Sequence, residues 1–315
     1  MNIKIRLRTF ICLNIIENKL SISSKLGAKL ADYYALTKPG ITLTVLISMI
    51  MGFILGSQSS IDLVLLLHAI IGTYLIAAGT AAHNQFLERG LDGLMNRTKS
   101  RPLPTQRISA TEGRFFSLSL IFAGLAYLVF LTHPIAGLVS LTTTLIYLKA
   151  YTPLKRISAF NIVIGAVPGA LPPVGGWAAA TGTISDPGMW ILFGIVFLWQ
   201  IPHVMAIAWV CKDDYSGAGF KMLPKHDETG IKTAWYGLLC ILFLFGVNYA
   251  LFALGYASEL FAYTSALAGI MFLFYGLKFL QNRSHQRARA LMFASIAYLP
   301  IIWLFLGLDI LMSNI

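Results

Sequence analysis

Apolar residues fill long stretches of this chain, and polar positions gather between them. A helix needs about 20 mostly apolar residues to cross about 30 Å of hydrocarbon. Segments of that kind run near 39–58, 62–83, 114–132, 134–151, 160–181, 189–211, 234–256, 259–279 and 289–309. They predict nine transmembrane helices. Their many Gly and Ala residues suit helices that approach closely in lipid. The ten-residue alternation of a membrane β-barrel is not found. Composition points the same way. Of 315 residues, 57% are hydrophobic and only 12% charged, against about 25% charged in an average soluble domain. The mean hydropathy is +0.72. A soluble globular chain and a disordered one are both excluded. The expected fold class is an all-α polytopic membrane protein.

Charge adds direction. All 24 Lys and Arg residues fall before the first span or at and beyond the ends of spans two, four, six and eight. By the positive-inside rule the amino terminus is cytoplasmic and the carboxyl terminus external. The net charge of +11 is then an asymmetry of loops, and no nucleic-acid partner is implied. Two long loops, roughly 84–113 and 212–233, lie four helices apart and so on one side. That spacing suggests two four-helix repeats plus a ninth helix. Residues 1–28 are basic, and the apolar run Phe10–Ile16 is too short and lacks the cleavage site of a signal peptide. They read equally as a partly amphipathic extension near anionic lipid and as a solvated tail. A single membrane domain is expected over 29–315. Cys12, Cys211 and Cys240 show no CxxC and no metal spacing.

Candidate chemistry starts at the end of span two. Asn84, Glu88 and Asp92 are spaced i, i+4, i+8. On a helix they share an arc of about 80° over about 12 Å. One amide and two carboxylates on one face at a membrane interface suit Mg²⁺, which commonly joins one or two carboxylates to substrate phosphates. Just downstream, Arg97, Lys99 and Arg101 are donors for phosphate oxygens. The basic residues alone fit a solvated helix end that follows the charge rule better than a site. Polar residues at membrane depth are costly and tend to be functional. The pair Asp213-Asp214, in the equivalent loop of the second half, would complete a two-sided metal–diphosphate clamp.

Inside span six lies Trp199-Gln200-Ile201-Pro202-His203. It reads either as a proline-kinked helix with a satisfied histidine or as a polar pocket wall. Lys155 and Arg156, in Tyr151-Thr152-Pro153-Leu154-Lys155-Arg156, either anchor an anion or simply follow the charge rule. A secondary transporter with broken helices remains an alternative, although its site belongs near the midplane, whereas these carboxylates sit at the interface.

The Asn84–Glu88–Asp92 spacing resembles the NxxxDxxxD motif of the UbiA-type intramembrane prenyltransferase superfamily. Residues 95–104 (MNRTKSRPLP), 151–156 (YTPLKR), 199–203 (WQIPH) and 213–224 (DDYSGAGFKMLP) resemble its heme-farnesylating branch. The resemblance spans roughly residues 30–310. It implies Mg²⁺ held by Asn84, Glu88, Asp92 and the Asp213/Asp214 pair. It also implies a diphosphate bound by Arg97, Lys99, Arg101, Lys155 and Arg156. Asn84, Glu88, Asp92, His203 and Asp214 are the implied catalytic set. The implied substrates are farnesyl diphosphate and heme B, met in membrane lipid. The implied setting is the bacterial inner membrane, with heme-handling partner proteins on the route to terminal oxidases. Two departures stand out. Position 88 is Glu where the pattern has Asp. The second motif's aspartates, four apart, are replaced by an adjacent pair, with Gly217 and Ala218 at the positions four beyond. An aromatic quinone precursor is the alternative acceptor.

Overall fold

The computed structural model describes residues 25–57, 60–223 and 227–313, and these are helices joined by loops. The first 24 residues of the expected extension, with Cys12, lie outside the described residues. Helix α1 covers 25–36, so the boundary expected at 28 falls inside a helix. It is followed by α2 (Pro39–Ser57), α3 (Leu63–Asp92), α4 (Ala110–Leu131), α5 (Pro134–Leu145) and α6 (Thr152–Leu154). Next come α7 (Asn161–Ala170), α8 (Pro172–Thr181), α9 (Pro187–Val210) and α10 (Lys212–Gly217). The last are α11 (Ile231–Ala253), α12 (Glu259–Gln281) and α13 (His285–Ser313). Eight helical units among the described residues are long and apolar enough to cross a membrane, α7 with α8 counting as one.

The remaining expected span, 134–151, is helical but not uniformly α. Between α5 and α6 runs a π-helical turn, Ile146–Tyr151. Both the backbone N–H and the Oγ1 of Thr152 donate to the Tyr147 carbonyl, which sets the wider turn. Such turns are rare and concentrate at functional sites. The 160–181 segment also departs from a single helix. Pro172 and Pro173 have no N–H to donate, and the helix breaks at Leu171 between α7 and α8.

Polar caps set several helix starts. Asp62 accepts from Val64 and Leu65 N–H, Ser109 and Glu112 form a capping box, and Asp186 accepts from Gly188 N–H ahead of α9. Packing depends on missing side chains. A Cβ on Gly52 of α2 would stand 1.9 Å from the Pro173 carbonyl of α8, and one on Gly176 would stand 1.9 Å from the Met49 carbonyl. Two backbones in such contact admit no larger residue. The first half (α2–α6) meets the second (α7–α12) along this α2–α8 seam, while α13 packs on α9 and α12.

Candidate active site

A cavity of about 490 Å³ lies between the halves, within the size range of small-molecule sites. Its deep part is lined by apolar side chains, among them Val45, Met49, Ile76, Val139, Val196 and Leu299. Its rim, on the side of the two long loops, is polar: the amide of Asn84 and the charged Lys38, Glu88, Asp92, Arg97, Arg101 and Lys155.

Helix α3 builds the rim. It does not stop where its apolar run ends but continues to Asp92. This extension is stabilised by burial of a polar face that finds partners. Asn84 and Asp92 are each 1% exposed and Glu88 is 7% exposed. The Asn84 amide donates to Glu88 Oε2 at 3.0 Å and to Thr152 Oγ1 at 3.2 Å. Each oxygen set also faces a cation. Lys38 Nζ donates to Asn84 Oδ1 at 3.0 Å, and Lys155 Nζ to both Glu88 oxygens at 2.8 and 3.1 Å. Arg101 Nη1 donates to Asp92 Oδ2 at 2.8 Å. Burial, reinforced by Arg101 and Lys155, pulls the Lys38 ammonium down to about 7. Burial acts against the Lys155 charge too, but Tyr151 and Glu88 outweigh it and hold the ammonium above its ordinary range. Its Nζ sits 4.5 Å over the Tyr151 ring.

The second half ends differently. Helix α9 stops at Val210, and Asp213 and Asp214 fall in the first turn of the short α10. Asp213 is exposed. Asp214 accepts from Asn96 Nδ2 at 3.4 Å and from the Arg97 backbone N–H at 3.3 Å. Neither aspartate lines the cavity, but Tyr215 and Phe220 do. Arg97 Nη2 donates to Tyr215 Oη at 3.1 Å. Lys99 is exposed and donates to Asn96 Oδ1, and Arg156 is exposed.

The model of the UbiA prenyltransferase family matches residues 45–299. A curated relative, the protoheme IX farnesyltransferase of Opitutus terrae, is 37% identical over 284 residues, covering 90% of this chain and 96% of its own length. The chain belongs to the UbiA prenyltransferase family. Solved structures share the fold. A digeranylgeranylglyceryl phosphate synthase aligns with a TM-score of 0.75 at 18% identity, over 90% of this chain and 98% of that one. A UbiA homolog from Archaeoglobus fulgidus, bound to GPP and Mg²⁺, aligns at 0.56 and 16% identity, over 88% and 99%.

For a UbiA prenyltransferase, the structure thus brings Asn84, Glu88, Asp92, Arg97, Arg101 and Lys155 together at one rim. His203 lines the same cavity farther in, about 10 Å along α9 from its end. Its ring stacks on Trp199 with centroids 5.2 Å apart. The absent Cβ of Gly169 makes room for the Gln200 amide, which would otherwise lie 2.1 Å away.

Several residues on or behind the cavity wall escape a reading of motifs. Lys38 reads there only as one charge in a basic segment. It is a part-buried rim residue with φ 48°, placed by the turn into α2. A lysine directly before a proline at the mouth of the first span was the available signal. Tyr147 lines the cavity from the π-helical turn and Thr152 bonds Asn84 from its end. Ser295, a lone hydroxyl in an apolar run, carried no signal at all.

Proposed function

We propose that this prenyltransferase moves the farnesyl group of farnesyl diphosphate onto a vinyl group of heme B, with addition of water, giving heme O and diphosphate. The observation that carries the reading is the rim: three oxygen-bearing residues on one helix face, each beside a cation, over a deep apolar cavity. The acceptor follows from the name of the Opitutus terrae relative together with the motifs shared with its branch.

The rim's donor set suits Mg²⁺. Two carboxylates and one amide are too few to enclose the ion alone, but they match its habit of taking a few protein oxygens plus phosphate and water. We assign Asn84, Glu88 and Asp92 as its ligands. Bound there with diphosphate, it would neutralise charge on the leaving group. Lys38, Arg101, Lys155 and Arg97 then donate to phosphate oxygens, stabilising the negative charge that develops as the C–O bond breaks. Asp214 holds the 96–97 backbone in place. Lys99, Arg156 and Asp213 belong to the outer surface of the rim.

The C1–oxygen pair leaves with diphosphate, and the vinyl π-pair forms the new C–C bond to C1. The cation left beside the porphyrin takes a water oxygen, which loses one proton. Tyr147 and Tyr151, with ring centroids 5.3 Å apart, line the path and offer π-faces to the allylic cation. Apolar walls keep water from it.

The site belongs at the cytoplasmic face of the bacterial inner membrane. Proteins that deliver heme B and carry heme O to terminal oxidase assembly are the expected partners. Reporters fused at the amino terminus and after Ile315 are expected to read as cytoplasmic and external. Both on one side would contradict a nine-span count. The substrate test is to incubate membranes holding the protein with heme B, farnesyl diphosphate and Mg²⁺, then weigh the hemes. A product heavier by the elements of farnesol supports the reading. Unchanged heme, with prenylation of an aromatic quinone precursor when one is added in its place, would replace it.

A further inference from the structure

His203 meets its surroundings through one ring nitrogen. Nδ1 lies 2.7 Å from Ser295 Oγ, and Ser295 Oγ lies 2.6 Å from the Met292 carbonyl oxygen. A carbonyl only accepts, so the single hydroxyl proton of Ser295 is committed to Met292. Toward His203, Ser295 Oγ is therefore an acceptor, and Nδ1 carries the ring proton. Nε2 is left as a bare lone pair, on a side chain that lines the cavity. The arrangement is rigid. Ser295 is 0% exposed, and its own carbonyl accepts the Trp199 Nε1–H at 2.7 Å. The Trp199 ring lies nearly parallel to the imidazole, at 13°. The lock thus joins α9 to α13, the helix outside both repeats.

With Nδ1–H held by Ser295, Nε2 is the ring nitrogen left to meet a ligand in the cavity, and that excludes one use of His203. It cannot donate to a propionate, which would need an N–H on that side. As a base toward water the ring would become imidazolium. In the Ser-His-Asp triad a carboxylate at the other nitrogen stabilises that imidazolium, and among the described residues no carboxylate is hydrogen-bonded to His203. A metal ligand stays neutral, and its second N–H is ordinarily held by an oxygen acceptor. We infer that Ser295 is a positioning residue that holds His203 in the Nδ1–H tautomer so that Nε2 ligates the iron of the porphyrin acceptor. The inference rests on heme being that acceptor.

The test uses purified full-length protein in lipid nanodiscs, titrated with ferric heme B and followed by its optical and electron-paramagnetic spectra. The wild type is expected to give a nitrogen-ligated heme signature. His203→Gly is expected to lose it and to regain it with added imidazole. Ser295→Ala frees the ring to flip tautomer, and heme affinity is expected to fall roughly 10–100-fold, as for other partners that hold a ligating histidine. Ser295→Thr keeps the acceptor and is expected to restore most of it. Farnesyl diphosphate binding with Mg²⁺ is expected to be unchanged in all three variants, which reports a folded rim. Wild-type spectra from His203→Gly without imidazole, or unaltered affinity in Ser295→Ala, would overturn the inference while heme O production by the wild type still stood. A wild type that neither binds heme nor makes heme O would overturn the substrate reading and this inference with it.

Discussion

Helices α3 and α9 hold equivalent places in the two halves, and each ends at a long loop on the same side. Their ends differ. Helix α3 runs unbroken through Asn84, Glu88 and Asp92, so the 3.6-residue period lays all three on one buried face. Helix α9 stops at Val210, and its acidic pair begins a new short helix at the surface. One half presents carboxylates to the cavity. The other uses a carboxylate to hold a loop of the first, through Asn96 and the Arg97 backbone. On the proposed reading the two halves divide the labour: the first binds the anion, and the second braces the binder and carries His203 on the cavity wall.

That division can be broken from either side. The largest effects are expected at the α3 face. Glu88→Gln and Asp92→Asn keep shape and remove charge, and each is expected to lower turnover roughly 10²–10³-fold, the scale of losing one preorganised electrostatic group. Heme O production in membranes measures it, and near-normal turnover by both would move the diphosphate site elsewhere. Next comes stability. The Glu88 and Lys155 side chains are 9% and 13% exposed, so Lys155→Met leaves a buried carboxylate uncompensated, at a cost of about 3–5 kcal/mol. Thermal unfolding in detergent should show the loss. Adding Glu88→Gln should recover part of it, and an additive double variant would mean the pair is not coupled.

Effects at the α9 end should be smaller and different in kind. Asp214→Asn weakens two hydrogen bonds to the 96–97 segment, so the KM for farnesyl diphosphate should rise about tenfold with kcat little changed. An equal fall in kcat would instead make Asp214 part of the reacting site. Asp213→Asn should be the mildest, within about 0.5 kcal/mol in stability, as for a surface position, with activity unaltered. Large loss there would restore a two-sided clamp.

Apolar run length made the long helices legible, because each must cross a fixed thickness. The α3 face was legible for the same geometric reason, since i, i+4, i+8 has one outcome on a helix. What failed to show were features set by long-range contact. The cations that meet Asn84 and Glu88 come from distant segments, Lys38 and Lys155. The π-helical turn that presents Tyr147 depends on one threonine side chain, and the Pro172-Pro173 break divides a run that hydropathy reads as whole. Symmetry of position groups Asp213-Asp214 with the α3 face, but loop placement does not say where a helix ends, and α9 stops at Val210. Ser295 acquires its role only from Met292 on its own helix and His203 on another.

The most direct test is the binding of farnesyl diphosphate itself, measured by titration calorimetry with Mg²⁺ present, in Glu88→Gln, Asp92→Asn and Asp213→Asn protein. The account predicts that the two α3 variants lose most of the binding while Asp213→Asn keeps wild-type affinity. Retained binding in both α3 variants, or its loss in Asp213→Asn, would contradict the division between the halves.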